Sequence, residues 1–161
     1  MSYLPYPPDR YHGTSGERSA WVREDATPGE IRREGLTARY LATGASTGGD
    51  FGLYRWEMGP RRGGPDPHFH RSISESFYVL DGNVSVHDGA GWRPAGTGDF
   101  LHVPPGGVHG FRNDSDAPAS MLILFTPGAP REDYFERVHT PGAMTEAERE
   151  EFFRRHDTFW L

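Results

Sequence analysis

The sequence contains no cysteine and no lysine. Without cysteine there can be no disulfide framework, thiolate nucleophile, iron–sulfur cluster or cysteine zinc site, so any metal must be held by nitrogen and oxygen donors. Without lysine, Schiff-base catalysis and a lysine general base are excluded. All 17 basic residues are therefore arginine, set against 23 acidic ones. The net charge of −6 is the wrong sign for displacing counterions from nucleic acid, so no nucleic-acid partner is expected. No run approaches the ~18 apolar residues of a membrane span. The opening segment also lacks the basic and apolar regions of a secretory signal, so no membrane partner and a cytoplasmic location are expected.

What is plentiful is turn material. Gly 21 and Pro 14 make up more than a fifth of the 161 residues, which favours many short strands over a helical bundle. The length suits one domain with a single core. Residues 1–35 carry isolated aromatics (Tyr3, Tyr6, Tyr11, Trp21) among Pro, Gly and Arg, and read as an arm, either draped over the surface or laid on a second subunit.

From Leu36 the texture changes to short apolar runs, with strands expected near 36–42, 51–59, 66–70, 75–81, 83–88, 91–94, 99–103, 108–113 and 119–126. Period-2 alternation puts Tyr54, Trp56 and Met58 on one face of the second run. Asp81-Gly82 and the 88–91 segment supply tight turns. Beyond Pro127 the pattern becomes helical: a short helix is expected over 131–138, and Thr145 with Glu148 three residues on forms a capping box for another. Phe152, Phe153, Phe159 and Trp160 give this last segment an apolar side, expected to pack on the outside of the barrel or on a partner subunit.

Of the eight histidines, His68 and His70 stand out. At i and i+2 on a strand their side chains share a face, within reach of one ion. Glu75 falls five positions on and joins them only if Arg71-Ser72-Ile73-Ser74 breaks the strand. A lone His-x-His pair is a weak signal, but a second segment runs Gly98, five residues, Pro104-x-Gly106, two residues, His109, three residues, Asn113. The two segments resemble the two signature motifs of the cupin superfamily. The first matches at His68, His70, Glu75 and Gly82 and departs only at its leading glycine, where Arg62 stands. The second matches at every fixed place.

The resemblance implies an all-β cupin double-stranded β-helix, a jelly-roll barrel over 36–126 followed by a C-terminal helical segment over 127–161. It implies that His68, His70, Glu75 and His109 bind one divalent transition metal, and three imidazoles with one carboxylate suit Fe, Mn, Ni, Co, Cu or Zn. Asn113 is expected to brace a turn, and His12, His87, His102, His139 and His156 to take surface or structural roles. Short members with this ligand set and a Phe-Tyr-Val-Leu-x-Gly strand are similar to quercetinase-like dioxygenases. In such an enzyme Glu75 would be catalytic, accepting a proton from an enolisable aromatic substrate. Tyr54, Trp56, Phe77 and Phe111 would contact that small molecule. A non-redox metal-dependent isomerase or lyase and a non-catalytic binding module are the alternatives, since the fold hosts many activities. A homodimer formed through the arm is the expected assembly.

Overall fold

A computed structural model of the protein describes residues 4–139 and 144–161. Eleven strands and two helices follow one another among these residues: β1 (Ile31–Arg33), β2 (Leu36–Ala42), β3 (Gly52–Met58), β4 (His68–Phe69), β5 (Ser74–Asp81), β6 (Asn83–His87), β7 (Trp92–Gly96), β8 (Phe100–Val103), β9 (Gly110–Arg112), β10 (Ala119–Thr126), α1 (Glu132–Arg137), α2 (Glu146–Arg155) and β11 (Phe159–Trp160). The larger sheet has the order β1-β2-β3-β10-β5-β8 and the smaller the order β7-β6-β9, with β11 paired to β4 at one end. Every pairing is antiparallel. This is the all-β jelly-roll barrel of the cupins.

Strand alternation builds the core. Along β3 the residues at Gly52, Tyr54, Trp56 and Met58 are buried and those between them are not, as period-2 patterning dictates. The long strand β10 lies between β3 and β5 and sets Tyr54, Ile123 and Phe77 side by side across three strands. Val84, Val86 and Phe111 of the smaller sheet face this row and close one continuous apolar core.

Two expectations need correction at the ends of the chain. The barrel begins five residues before Leu36, because Ile31 pairs with Ala38 and is buried in the core. The residues before it do run exposed and without regular structure, tied to the same chain's β2 where the Arg39 Nη1 donates to the carbonyls of Asp25 and Thr27. At the other end the helical segment contributes to the core itself. Tyr134, Phe135 and Phe152 are buried, and Phe135 packs edge-on against Tyr54 and Trp56 at ring distances of 5.1 and 5.0 Å. The Thr145–Glu148 capping box is present, with the hydroxyl accepting from the Glu148 N–H and the carboxylate accepting from the Thr145 N–H.

Met121 faces the core at the middle of β10 and is fully buried. Met121→Ala is expected to lower the unfolding free energy by about 2–5 kcal/mol, measured by urea denaturation, because the neighbouring strands cannot collapse into the space.

Candidate metal centre

Three pieces of backbone bring the four metal-ligand candidates together. β4 carries His68, and His70 follows it. The chain then turns through 71–73, and β5 opens at Ser74, so Glu75 belongs to a new strand and strand parity is reset. The Asp157 carboxylate holds the break open by accepting the N–H groups of Arg71 and Ser72 and the Ser72 hydroxyl. His109 lies immediately before β9, where its N–H donates to the His68 carbonyl and accepts, at its own carbonyl, the His68 N–H, both at 2.9 Å. The Gly106 N–H donates to the His70 carbonyl at 2.6 Å, and this loop needs a backbone φ of +84° that glycine adopts without strain.

The ligand atoms of His68, His70, Glu75 and His109 all lie within 4.8 Å of one another, and all four residues are buried. The orientation of the imidazoles is chemically informative. The Nδ1 of His68 meets the Asp66 carbonyl at 2.8 Å, that of His70 the Asp157 carbonyl at 2.5 Å, and that of His109 the Gly107 carbonyl at 2.9 Å. A carbonyl only accepts, so each Nδ1 carries a proton and each Nε2 faces inward, its lone pair free for a cation whenever the ring is neutral. The Nε2 atoms of His70 and His109 stand 3.0 and 2.7 Å from Glu75 Oε2. Lone pairs do not approach a carboxylate at such distances unless a proton or a cation lies between them. The donor set, its burial and this outer ring of carbonyls fit a borderline divalent ion.

The electrostatics agree. Burial, reinforced by the neighbouring His109, pushes the His68 imidazole down to about 3, so it is neutral and ready to donate its lone pair. Burial alone would raise the Glu75 carboxyl, but His109 and His70 outweigh it and hold Glu75 well below the usual carboxylate range. Burial alone would lower His109, and its contact with the Glu75 carboxylate reverses the sign and raises it.

A cavity of about 210 Å³ opens on this cluster, with His68 and Glu75 in its wall. Trp56, Phe111, Phe125, Tyr134, Phe135 and Trp160 make most of the remaining lining apolar and aromatic. Of the four residues expected to contact substrate, Trp56 and Phe111 line this cavity, while the expected place of Tyr54 and Phe77 is corrected, because they do not line it. Tyr54 lies behind Phe125 and Phe135, and its hydroxyl donates to Glu132 at 2.6 Å. Phe77 sits behind Phe111 at a ring distance of 5.6 Å and lines a separate hollow with Val79 and Val86.

Alternation grouped Tyr54 with Trp56 and Phe77 with Glu75 but could not tell how deep along the barrel the cavity reaches. Conversely, Arg131, Tyr134 and Trp160 line it, and the Asp157 carbonyl orients His70; of these the sequence marked only Trp160, as part of an outward-packing apolar side rather than as a cavity residue. The C-terminal apolar residues do not lie only on the outside: β11 pairs Trp160 with His68, and Phe159 stacks on Phe69.

The other histidines are elsewhere. His102 points outward and bonds Ser76, His156 meets Asp133 at 3.0 Å, and exposed His139 stands on the cavity rim. Asn113 braces its turn, donating to the Gly59 and Ala117 carbonyls and accepting from Ser115.

Two measurements check the centre. The raised His109 proton must leave before the ring can bind a cation, so acidification opposes binding. Calorimetric titration with Ni²⁺ should show weaker affinity at pH 6 than at pH 8, with protons released on binding at the acid end. Asp157→Ala removes the carboxylate that holds the 71–72 turn between His70 and Glu75, while keeping the main-chain carbonyl that meets His70, and should weaken Ni²⁺ binding by about fivefold or more.

The comparisons with known proteins agree with this geometry. The Cupin domain family matches residues 54–125. The quercetin 2,3-dioxygenase of Bacillus subtilis is 32% identical over 103 residues, which are 64% of this chain but only 30% of that protein, so the chain spans less than a third of this relative's length. Protein SchB of Streptomyces halstedii is 32% identical over 114 residues, covering 70% of this chain and 80% of that protein. Among solved structures, the polyketide cyclase RemF from Streptomyces resistomycificus is 25% identical with a TM-score of 0.55, over 66% of this chain and 78% of that one. With both signature segments folded around one buried cluster, the chain belongs to the cupin superfamily.

Proposed function

We propose that the protein is a metal-dependent enzyme whose reaction is the dioxygenation of a small, flat, enolisable aromatic molecule. One observation carries this reading: three Nε2 lone pairs and a carboxylate converge at the wall of an aromatic-lined cavity. His68, His70, Glu75 and His109 would hold the ion. A divalent transition ion bound there supplies a Lewis acid and, where it is redox-active, one-electron chemistry.

The chain's own residues have distinct parts. Glu75, held as a carboxylate at neutral pH and present in the cavity wall, accepts the enol proton of the substrate. Trp56 and Phe111, packed edge to face at 6.3 Å, present an aromatic wall against which a ring can lie with water excluded. Both atoms of dioxygen enter the product, so no external reductant is required. The likeness to the Bacillus quercetin 2,3-dioxygenase supports the reaction class. The volume of about 210 Å³ lies below the ~300 Å³ at which pockets for drug-sized ligands begin, and favours a molecule of one or two rings over a flavonol. A second reading, non-redox chemistry on an enolised substrate at the same centre, is favoured by the likeness to the polyketide cyclase.

Purified protein should contain Fe, Mn, Ni, Co or Cu at about one ion per chain and consume oxygen with one-ring and two-ring enolisable substrates. Glu75→Gln should slow this turnover by roughly 10²-fold or more. Zinc as the resident metal, or no oxygen uptake with any redox-active ion, would exclude dioxygenation and leave the non-redox reading.

A further inference from the structure

Outside the metal cluster, Arg131 is the buried charged residue in the cavity wall among the described residues. It stands immediately before α1 and is only 3% exposed. Burial disfavours its charge, yet among the described residues no carboxylate lies within 4.0 Å of it. Its Nη1 donates to the His156 carbonyl at 2.5 Å, and its buried Nε has no hydrogen-bond partner. The rings of Tyr134, Phe125 and Phe135 surround the guanidinium at 4.2, 5.1 and 5.6 Å, which offsets part of the desolvation and locks its plane.

The nearby acids are committed elsewhere. Glu75 is shared by His70 and His109, Glu132 accepts from Tyr54, and Asp133 pairs with His156. Asp66 contributes to the lining but is exposed. Buried charges are normally paired, and a guanidinium with an unused Nε–H matches the planar, two-oxygen geometry of a carboxylate.

We propose that Arg131 receives a carboxylate of the substrate, which narrows the substrate class to small aromatic or enolisable carboxylic acids. The inference rests on the reading of this cavity as a substrate site. In it the acid's anionic end docks on Arg131, the ring lies against the wall made by Trp56 and Phe111, and the enolisable oxygen is directed toward Glu75. No bond is made or broken at Arg131, which acts as a binding residue alone.

Benzoate and its neutral isostere benzamide are suitable probes, since both fit the cavity and differ in charge. Calorimetry on the metal-loaded protein should show benzoate binding about tenfold or more tightly than benzamide. The preference should persist in metal-free protein, vanish in Arg131→Met and survive in part in Arg131→Lys. Equal binding of the two probes to the wild type, binding of neither, or an undiminished preference in Arg131→Met would overturn the proposal. A preference that disappears with the metal would also overturn it, by assigning the carboxylate to the ion. Because Arg131 also ties down His156, circular dichroism is recorded on each variant, and if Arg131→Met does not fold the wild-type comparison and Arg131→Lys decide. These readouts are independent of turnover. Absent oxygen uptake with the benzoate preference intact would sink the dioxygenase reading and leave the anion site standing.

Discussion

The arrangement depends on three imidazole N–H groups that are already occupied. Because His68, His70 and His109 each spend their Nδ1 proton on a main-chain carbonyl, their other nitrogens must face inward as acceptors around Glu75. Rotating any of these rings would cost a buried hydrogen bond and leave a carbonyl unsatisfied. The site is thus held in a geometry suited to a cation, and short nitrogen-to-carboxylate distances are tolerable only with positive charge between them.

Holding those carbonyls in place requires the rest of the barrel. The reciprocal hydrogen bonds between His68 and His109 join two stretches of chain forty residues apart, and the glycine turn at 106 reaches back to His70. The carbonyl opposite His70 comes from Asp157, so the C-terminal segment takes part in the centre as well as covering it. Asp157 adopts a left-handed backbone conformation, φ of 51°, which Asp tolerates better than most residues. Its carboxylate caps the turn that separates the two His ligands of β4 and its flank from Glu75.

A cavity built this way is selective by subtraction. Aromatic rings fill most of the wall and restrict the volume, leaving Glu75 and Arg131 as its two buried charged groups among the described residues. They differ in surroundings: Glu75 is in contact with two imidazoles, whereas Arg131 has rings and one carbonyl. Negative charge on a ligand therefore has Arg131 as its natural partner in the cavity outside the candidate metal centre.

The four candidate ligand positions were legible through the resemblance of the two segments to the cupin motifs, while local patterns gave only that His68 and His70 share a face and that glycine and proline at 98, 104 and 106 mark turns. The capping box at Thr145 was legible for the same reason, being a local rule with a fixed spacing. Depth along the barrel was not. Alternation groups Tyr54 with Trp56 and Phe77 with Glu75, but only the packing of Phe125, Phe135 and Phe111 over them decides that they lie behind the cavity. Nor could local patterns place Arg131, Asp157 or Trp160, which reach the centre from the far end of the chain through contacts spanning 25 to 92 residues. Periodicity is a property of neighbouring residues, whereas the walls of a cavity are set by which distant segments the core brings together.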